Sequence, residues 1–165
     1  RASLEQPHPR IGYETNCAMN QWATWALFFD IEVEKFAQAY KWSKKEKQYV
    51  VRLIEAYERR KKEPCTNSLL YTYQEIEWVV VEKWREFQQL PWISEEDIRQ
   101  RRRTLPIQSR DMLAVDGRQL MAWYDRKGGP WLKEMLNRIE EGVIEGAVRN
   151  ESEAIKEWLE RDDKR

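Results

Sequence analysis

A glycine pair followed by proline is the point of this sequence that most constrains its fold. Gly128-Gly129-Pro130 interrupts any preceding element, and proline suits the first helical position, where its missing N–H would have no intrahelical partner. Apolar residues then recur at spacings of three and four, at Leu132, Met135, Leu136, Ile139 and Val143. Gly146 supplies a stop signal. The pattern predicts an amphipathic helix that begins at Pro130 and ends near Gly146.

Helix signals recur along nearly the whole chain. Cap residues with an acid three positions later occur at Ser43–Glu46, Ser94–Asp97 and Asn150–Glu153. An apolar period from about Ser68 to Leu90 predicts one long helix, and the β-favouring run at 79–81 lies inside it. We therefore predict an all-α fold without a sheet, with a helical body at 1–90 and a smaller helical tail at 91–165.

Composition limits the class of protein. A chain of 165 residues with 41% hydrophobic residues and nine tryptophans is long and apolar enough to fold around a core. Cys17 and Cys65 have no metal-ligand spacing, and no apolar run reaches the length of a membrane span. We expect a cytoplasmic protein without a membrane anchor. Because the sequence opens at Arg1 rather than Met, we also expect it to be part of a longer polypeptide.

The charges are unevenly placed, although the formal net charge is zero. The segments Lys41–Lys62 and Arg99–Lys133 each contain nine Lys or Arg residues against three acids, and no acid interrupts the stretch from Ile98 to Arg110. Two such segments could form a stripe that binds a polyanion. A solvated helix surface is the alternative explanation, above all for Lys41–Lys62.

No catalytic residue, metal site or cofactor site is predicted within the chain. The only histidine, His8, lies between two prolines, without a nucleophile in a recognisable arrangement. Acid pairs such as Asp30 and Glu32 have one residue between them, which on a helix directs the two carboxylates to different faces. Gly128-Gly129 is too short for a phosphate-binding loop of the nucleoside-triphosphate class.

The order of motifs resembles the C-terminal body and tail of bacterial CCA-adding enzymes, the tRNA nucleotidyltransferases that build or repair the 3′ end of tRNA. The tail resemblance runs through Leu105–Arg110, Leu113–Met121, Gly128–Leu136, Gly146–Glu151 and Ala154–Leu159. Gln21–Ile54 resembles the body. This chain departs from the resemblance at Gln119, before Leu120-Met121, where relatives often have an Asp. Asp116 is close enough to cap the same helix.

The resemblance implies that this chain lacks the catalytic and nucleotide-selecting regions of the family. In this family a head with paired carboxylates carries the chemistry, and a neck selects CTP and ATP; neither pattern occurs here. The resemblance therefore implies a region that holds the acceptor arm, T arm and elbow of tRNA and is not catalytic by itself. Mg²⁺, CTP and ATP are expected in the missing head. The expected partners are tRNA and that head and neck, with no DNA and no membrane.

Candidate tRNA contacts follow from basic residues near helix starts and from the arginine run. They are Arg99, Arg101, Arg102, Arg103, Arg110, Arg118, Arg126, Lys127 and Lys133, together with the turn at Gly128 and Gly129. Cations and free N–H groups of this kind fix the register of an RNA through its phosphates. The glycines favour a turn with positive φ or a close approach of the backbone to RNA. Trp131 is a candidate for stacking on an unstacked base, with packing as the alternative.

The sequence is also compatible with two other functions. Aromatic and apolar positions could form a groove for a protein partner, which would make the chain a non-catalytic helical interaction module. An RNA-binding protein unrelated to CCA addition is the third hypothesis. Salt separates them, since phosphate contacts weaken steeply with added salt whereas an apolar groove does not depend on it.

Overall fold

The computed structural model describes residues 17–164, apart from the side chain of Cys17, and His8 lies outside that range. Within it the regular secondary structure is helical, without a strand, which confirms the all-α fold class. The elements are α1 Cys17–Phe28, α2 Val33–Ala39, α3 Lys44–Lys62, α4 Asn67–Thr72, α5 Glu75–Phe87, α6 Glu95–Arg103, a 3₁₀ turn Arg110–Met112, α7 Gly117–Tyr124, α8 Pro130–Ile144 and α9 Ser152–Asp163. None of these helices has the length and apolarity needed to cross a bilayer.

The chain divides into two compact units. Among the described residues, unit 1 comprises 17–66 and 73–100, and unit 2 comprises 67–72 and 101–164. Helix α4 therefore belongs to unit 2, although the residues on both sides of it belong to unit 1. The proposed division of roles between a body at 1–90 and a tail at 91–165 stays a prediction.

Helix α3 is the central helix of unit 1 and packs against α1, α2 and α5. Its start is the predicted capping box: the Ser43 hydroxyl accepts from the Glu46 N–H at 3.2 Å, and the Glu46 carboxylate accepts from the Ser43 N–H at 2.7 Å. The buried face of α3 consists of Val50, Leu53, Ala56 and Tyr57. Trp78 and Trp84 of α5 are fully buried in the same unit.

Charged residues are also buried in unit 1. The carboxylate of Glu82, whose side chain is 2% exposed, accepts from Arg60 Nε at 2.9 Å and from the Ile93 N–H at 3.0 Å. Arg85 lies 3.9 Å from the same carboxylate and donates to the Pro91 carbonyl at 2.8 Å. These bonds hold the segment after α5 against the helices, since a buried charge requires its partners.

The predicted single helix from Ser68 to Leu90 is wrong, because the chain breaks between α4 and α5. Gln74 has extended backbone angles, and its side chain and that of Glu77 form a capping box that starts α5. The Glu77 carboxylate accepts the Gln74 N–H at 3.0 Å. Tyr73 is 1% exposed and donates its hydroxyl to Glu55 at 2.8 Å. A buried contact and a local cap thus override the continuous apolar period.

Unit 2 is built around α8, which begins at Pro130 as predicted. Its core is apolar and consists of Ile107, Val115, Leu120, Ile139, Val143, Ile144, Val148, Ile155 and Leu159. Beyond its end Gly146 has φ of 76°, and the N–H groups of Gly146 and Ala147 donate to the carbonyls of Val143 and Gly142. This is a Schellman C-cap, in which a left-handed glycine satisfies the last carbonyls of the helix.

The predicted capping role of Asn150 is wrong. Helix α9 begins at Ser152 after Glu151, and no side chain caps it. The Asn150 amide instead accepts from the Ala114 N–H and donates to the Met112 carbonyl, both at 2.8 Å. Its side chain therefore satisfies backbone groups in the loop before α7, a long-range use that local spacing does not reveal.

Candidate nucleic-acid interface

The start of α7 presents Arg118 to solvent. Asp116 caps the helix by accepting the Gln119 N–H at 3.0 Å, and the Gln119 side chain accepts the Asp116 N–H at 3.3 Å. The cap that the sequence suggested for Asp116 is confirmed, and the Gln119 side chain completes the capping box. Arg118, the second residue of the helix, is exposed.

The turn between α7 and α8 carries Arg126 and Lys127. Asp125 ends α7 in the left-handed region with φ of 44°, and the Arg126 N–H donates back to the Met121 carbonyl at 3.1 Å. Asp is one of the few non-glycine residues that tolerate this conformation. Both basic side chains beyond it are exposed, as is Lys133 in the first turn of α8.

The glycines before α8 do not have the positive φ that the sequence suggested. Gly129 has φ of 177°, which is extended backbone, and in the part of the chain that the structure describes only Gly146 is a glycine with φ in the left-handed region, at 76°. A Cβ at Gly128 would lie 3.6 Å from Leu132 Cδ1 and from Met121 Sδ, and one at Gly129 would lie 3.4 Å from Trp131 Cδ1. Steric strain therefore does not require glycine at either position.

The starts of α7 and α8 lie together in unit 2. Gly117, the first residue of α7, and Gly128 both face the same methyl group: a Cβ would lie 3.9 Å from Leu132 Cδ1 at Gly117 and 3.6 Å at Gly128. The N-terminus of α8, with its partial positive charge, is thus close to that of α7, which the Asp116 carboxylate already caps. Arg118 follows one of these starts, and Lys127 and Lys133 flank the other.

Trp131 is half-buried and contacts the turn that precedes it. Its indole N–H donates to the Lys127 carbonyl at 2.8 Å. The Arg126 guanidinium carbon lies 5.1 Å from the centroid of its ring, and the Tyr124 ring meets it at a steep angle with 5.8 Å between centroids. The tryptophan therefore connects the end of α7 with the start of α8.

Four basic residues at these helix starts have no ion-pair partner among the described residues. They are Arg118, Arg126, Lys127 and Lys133. We call them, with Gly128 and Gly129, the α7–α8 surface. Because intramolecular carboxylates do not neutralise them, their charge is available to an anion.

Unlike the cations of the α7–α8 surface, several arginines between Arg99 and Arg110 have partners within the protein. Arg99, in unit 1, pairs with Glu75 at 2.9 Å and Glu95 at 2.5 Å, and the hydrogen bond to Glu75 is the main reason that its pKa is raised. In unit 2, Arg102 donates to the Leu70 carbonyl. Arg110 donates to Glu140 at 3.0 Å, a bond that raises the pKa of Arg110. Three of the five predicted contacts in this run therefore have intramolecular partners.

Arg101 and Arg103 are the exposed members of the run without an ion pair in the described chain. Both belong to unit 2. No cluster of three or more His, Cys, Asp or Glu residues with metal-binding geometry occurs within residues 17–164. Basic side chains and backbone N–H groups, rather than carboxylate clusters, dominate the candidate site.

Comparison with known proteins identifies the family. A family model described as tRNA nucleotidyltransferase domain 2 matches residues 15–159. The chain belongs to the tRNA nucleotidyltransferase domain 2 family. It is 39% identical over 117 residues to a CC-adding tRNA nucleotidyltransferase of Halalkalibacterium halodurans, covering 70% of this chain and 31% of the relative. It is 30% identical over 149 residues to a CCA-adding enzyme of Bacillus mycoides, covering 83% and 36%.

A solved structure agrees with these sequence relatives. The crystal structure of the Bacillus stearothermophilus CCA-adding enzyme in complex with CTP matches with a TM-score of 0.79 and 29% identity, over 88% of this chain and 38% of that chain. The chain spans about a third of the length of the relatives it matches. The resemblance to CCA-adding enzymes found in the sequence is confirmed.

Sequence reasoning missed residues that shape this member of the tRNA nucleotidyltransferase domain 2 family. Tyr124 packs against Trp131, and Leu132 lies beside both Gly117 and Gly128. Tyr124, Leu132 and Gly117 were not among the predicted site residues. Leu132 was recognised only as part of an apolar stripe, which it also is. No spacing rule connects residues on opposite sides of a turn, so the pattern alone held no signal for these contacts.

Proposed function

We propose that this chain binds tRNA through the α7–α8 surface and so holds the T arm, elbow and acceptor stem for nucleotide addition at the 3′ end. The supporting observation is that two neighbouring helix starts and the turn between them carry four exposed cations, none with an ion-pair partner in the part of the chain that the structure describes. Cations and helix N-termini bind phosphates without reading bases. Such contacts suit a protein that recognises tRNA by its shape.

The other predicted contacts fall into two groups. Arg101 and Arg103 are exposed and would add phosphate contacts directly. Arg99, Arg102 and Arg110 would first have to exchange the partners they already have within the chain. We therefore propose Arg101 and Arg103 as RNA contacts, and the three others as residues that hold their own helices and loop in position.

The chemistry belongs, in this proposal, to the rest of a longer protein. There the tRNA 3′ hydroxyl attacks the α-phosphate of CTP or ATP and pyrophosphate leaves, with Mg²⁺ bound in the head. This chain supplies no reacting group and only positions the tRNA. Relatives three times as long that are named CC-adding and CCA-adding enzymes support this assignment.

Nucleotide incorporation tests the catalytic part. We expect the chain alone, given tRNA without its 3′ end, labelled CTP, labelled ATP and Mg²⁺, to incorporate no label. A full-length relative serves as the positive control. Incorporation above a protein-free blank would show that this chain is itself catalytic.

Binding tests the role of the surface. In Arg118→Glu/Lys127→Glu we expect tRNA affinity to fall by roughly a hundredfold, and the slope of log affinity against log salt to become shallower by about two. The matched control is Lys44→Glu/Lys45→Glu, which reverses two exposed charges in the first turn of α3, where acids favour the helix. Equal losses in both variants would contradict a localised site.

One observation favours the alternative of a protein-interaction module. Phe87, Leu90 and Trp92 in unit 1 are 41%, 37% and 48% exposed, which is unusual for large apolar residues so close in sequence. If a protein partner is the main ligand, binding will persist at high salt and fall in Trp92→Ala. tRNA binding that weakens steeply with salt and is unchanged by Trp92→Ala favours the tRNA function.

A further inference from the structure

The Trp131 indole is held by three neighbours in unit 2. Its N–H donates to the Lys127 carbonyl at 2.8 Å, and the Arg126 guanidinium carbon lies over its ring at 5.1 Å from the centroid. The Tyr124 ring meets it at an interplanar angle of 69°. All three neighbours lie in the same turn or at the end of the helix before it. An indole with these contacts orders the turn around it.

We propose that Trp131 is a positioning residue of the α7–α8 surface. It sets the Arg126 guanidinium and the backbone at Lys127 and Gly128 for contact with RNA phosphates, and it does not stack on a base. This inference rests on the proposed function and assigns separate roles within it. It replaces the base-stacking role that the sequence suggested for Trp131.

The geometry at Arg126 supports the first part of this role. A guanidinium over an indole interacts through its flat face, so the N–H donors at its edge stay available to a phosphate. The contact also restricts a long side chain before any ligand arrives. Arg126 therefore loses less conformational entropy on binding than an unrestrained arginine would.

The geometry at Lys127 supports the proposal that Trp131 also positions the backbone at Lys127 and Gly128. In a trans peptide the carbonyl of one residue and the N–H of the next point in opposite directions. Since the Lys127 carbonyl accepts from the Trp131 indole, the Gly128 N–H points away from Trp131. Gly128 is exposed, so this donor is available at the surface beside the basic side chains.

The decisive variant is Trp131→Phe, which keeps an aromatic face but removes the indole N–H. If Trp131 is a positioning residue, tRNA affinity should fall about fivefold, and the salt slope should become shallower by about one. In the Arg126→Ala background the same substitution should add little, because the two residues act together. Without RNA, trypsin should cleave the variant several times faster after Arg126 and Lys127, since the turn has lost its anchor.

The matched control is Trp123→Phe. Trp123 also lies in unit 2, is half-buried and has a cation over its ring, with Lys156 Nζ 5.7 Å from the centroid. We expect this variant to bind tRNA with the affinity and salt slope of the unmodified chain. Trp131→Leu completes the set, and thermal unfolding shows that each variant is folded at the temperature of the assay.

The possible results separate the inference from the function on which it rests. If the unmodified chain does not bind tRNA, the proposed function and this inference both fail. If it binds and Trp131→Phe binds equally well, only the inference is overturned. A stacking residue would behave in another way: Phe would retain binding, Leu would lose it, and neither would change the salt slope.

Discussion

Unit 1 buries charge, whereas the core of unit 2 consists of apolar side chains. The five buried polar or charged residues in the described part of the chain, Asn20, Thr24, Glu77, Glu82 and Arg85, all belong to unit 1. In unit 2 the buried hydrophobic side chains among the described residues are all aliphatic: the nine of the core cluster together with Leu69, Leu70 and Leu105. The cations at the starts of α7 and α8 are therefore not needed to neutralise a core.

The same difference explains why the two basic segments, Lys41–Lys62 and Arg99–Lys133, leave different amounts of positive charge unpaired. In Lys41–Lys62, Arg52 pairs with Glu77 and Arg60 with Glu82, so part of the positive charge is neutralised inside unit 1. At the start of α8, Lys127 and Lys133 have no such partner in the described residues. Equal charge in two stretches of sequence thus corresponds to unequal charge available to a ligand.

The largest expected effect is in the buried ion pairs of unit 1. Glu82→Gln leaves Arg60 and Arg85 buried without a counter-charge and should lower the free energy of unfolding by about 3–5 kcal/mol. The control is Glu140→Gln in unit 2, whose partner Arg110 is 43% exposed, where we expect a loss below about 1 kcal/mol. Urea unfolding measures both. Similar losses would show that the two units do not differ in their use of charge.

The second-largest expected effect is a loss of stability in unit 2, where Gly142 of α8 packs closely against Trp158 of α9. A Cβ at Gly142 would lie 2.7 Å from Cη2 of Trp158, so Gly142→Ala must displace a rigid ring and should cost about 1–3 kcal/mol. At Gly117 a Cβ would lie 3.9 Å from its nearest neighbour, and Gly117→Ala should leave the melting temperature unchanged or higher. A stable Gly142→Ala variant would mean that α8 and α9 do not need this close approach.

Binding without a change in stability is expected at the turn before α8. Gly128→Ala/Gly129→Ala creates only ordinary van der Waals contacts within the protein, so the melting temperature should not change. Added methyl groups would nevertheless keep a phosphate from the backbone, and tRNA affinity should fall roughly three- to tenfold. Isothermal binding and thermal unfolding of the same variant are the measurements. Unchanged affinity would limit the site to side chains.

The smallest effect concerns alkaline pH. Burial, together with the hydrogen bond to Glu140, raises the pKa of Tyr71 from 10 to about 12. The folded state favours the neutral phenol, so the associated stability is fully present below pH 10 and is lost as the pH rises towards 12. In Tyr71→Phe the melting temperature should therefore decline less steeply between pH 9 and 11.5. An identical decline would exclude a contribution from Tyr71.

Local sequence signals determined where several helices begin and end. Ser43 with Glu46, Ser94 with Asp97 and Pro130 mark helix starts at the residues where the structure has them. These signals work because caps and breakers act over three or four residues of the same backbone. The all-α class and the family could be recognised for the same reason, since both are carried by short motifs in a fixed order.

Only the tertiary structure decided which of the predicted site residues remain available. Arg110 lies in the same basic stretch as Lys127, but Glu140, thirty residues further along the chain, pairs with it. The break after Tyr73 and the use of Asn150 in the loop before α7 likewise depend on distant partners. The local sequence shows that a residue is charged or can cap a helix. Whether that residue already has a hydrogen-bond or ion-pair partner depends on groups that only folding brings within about 3 Å, the range of a hydrogen bond.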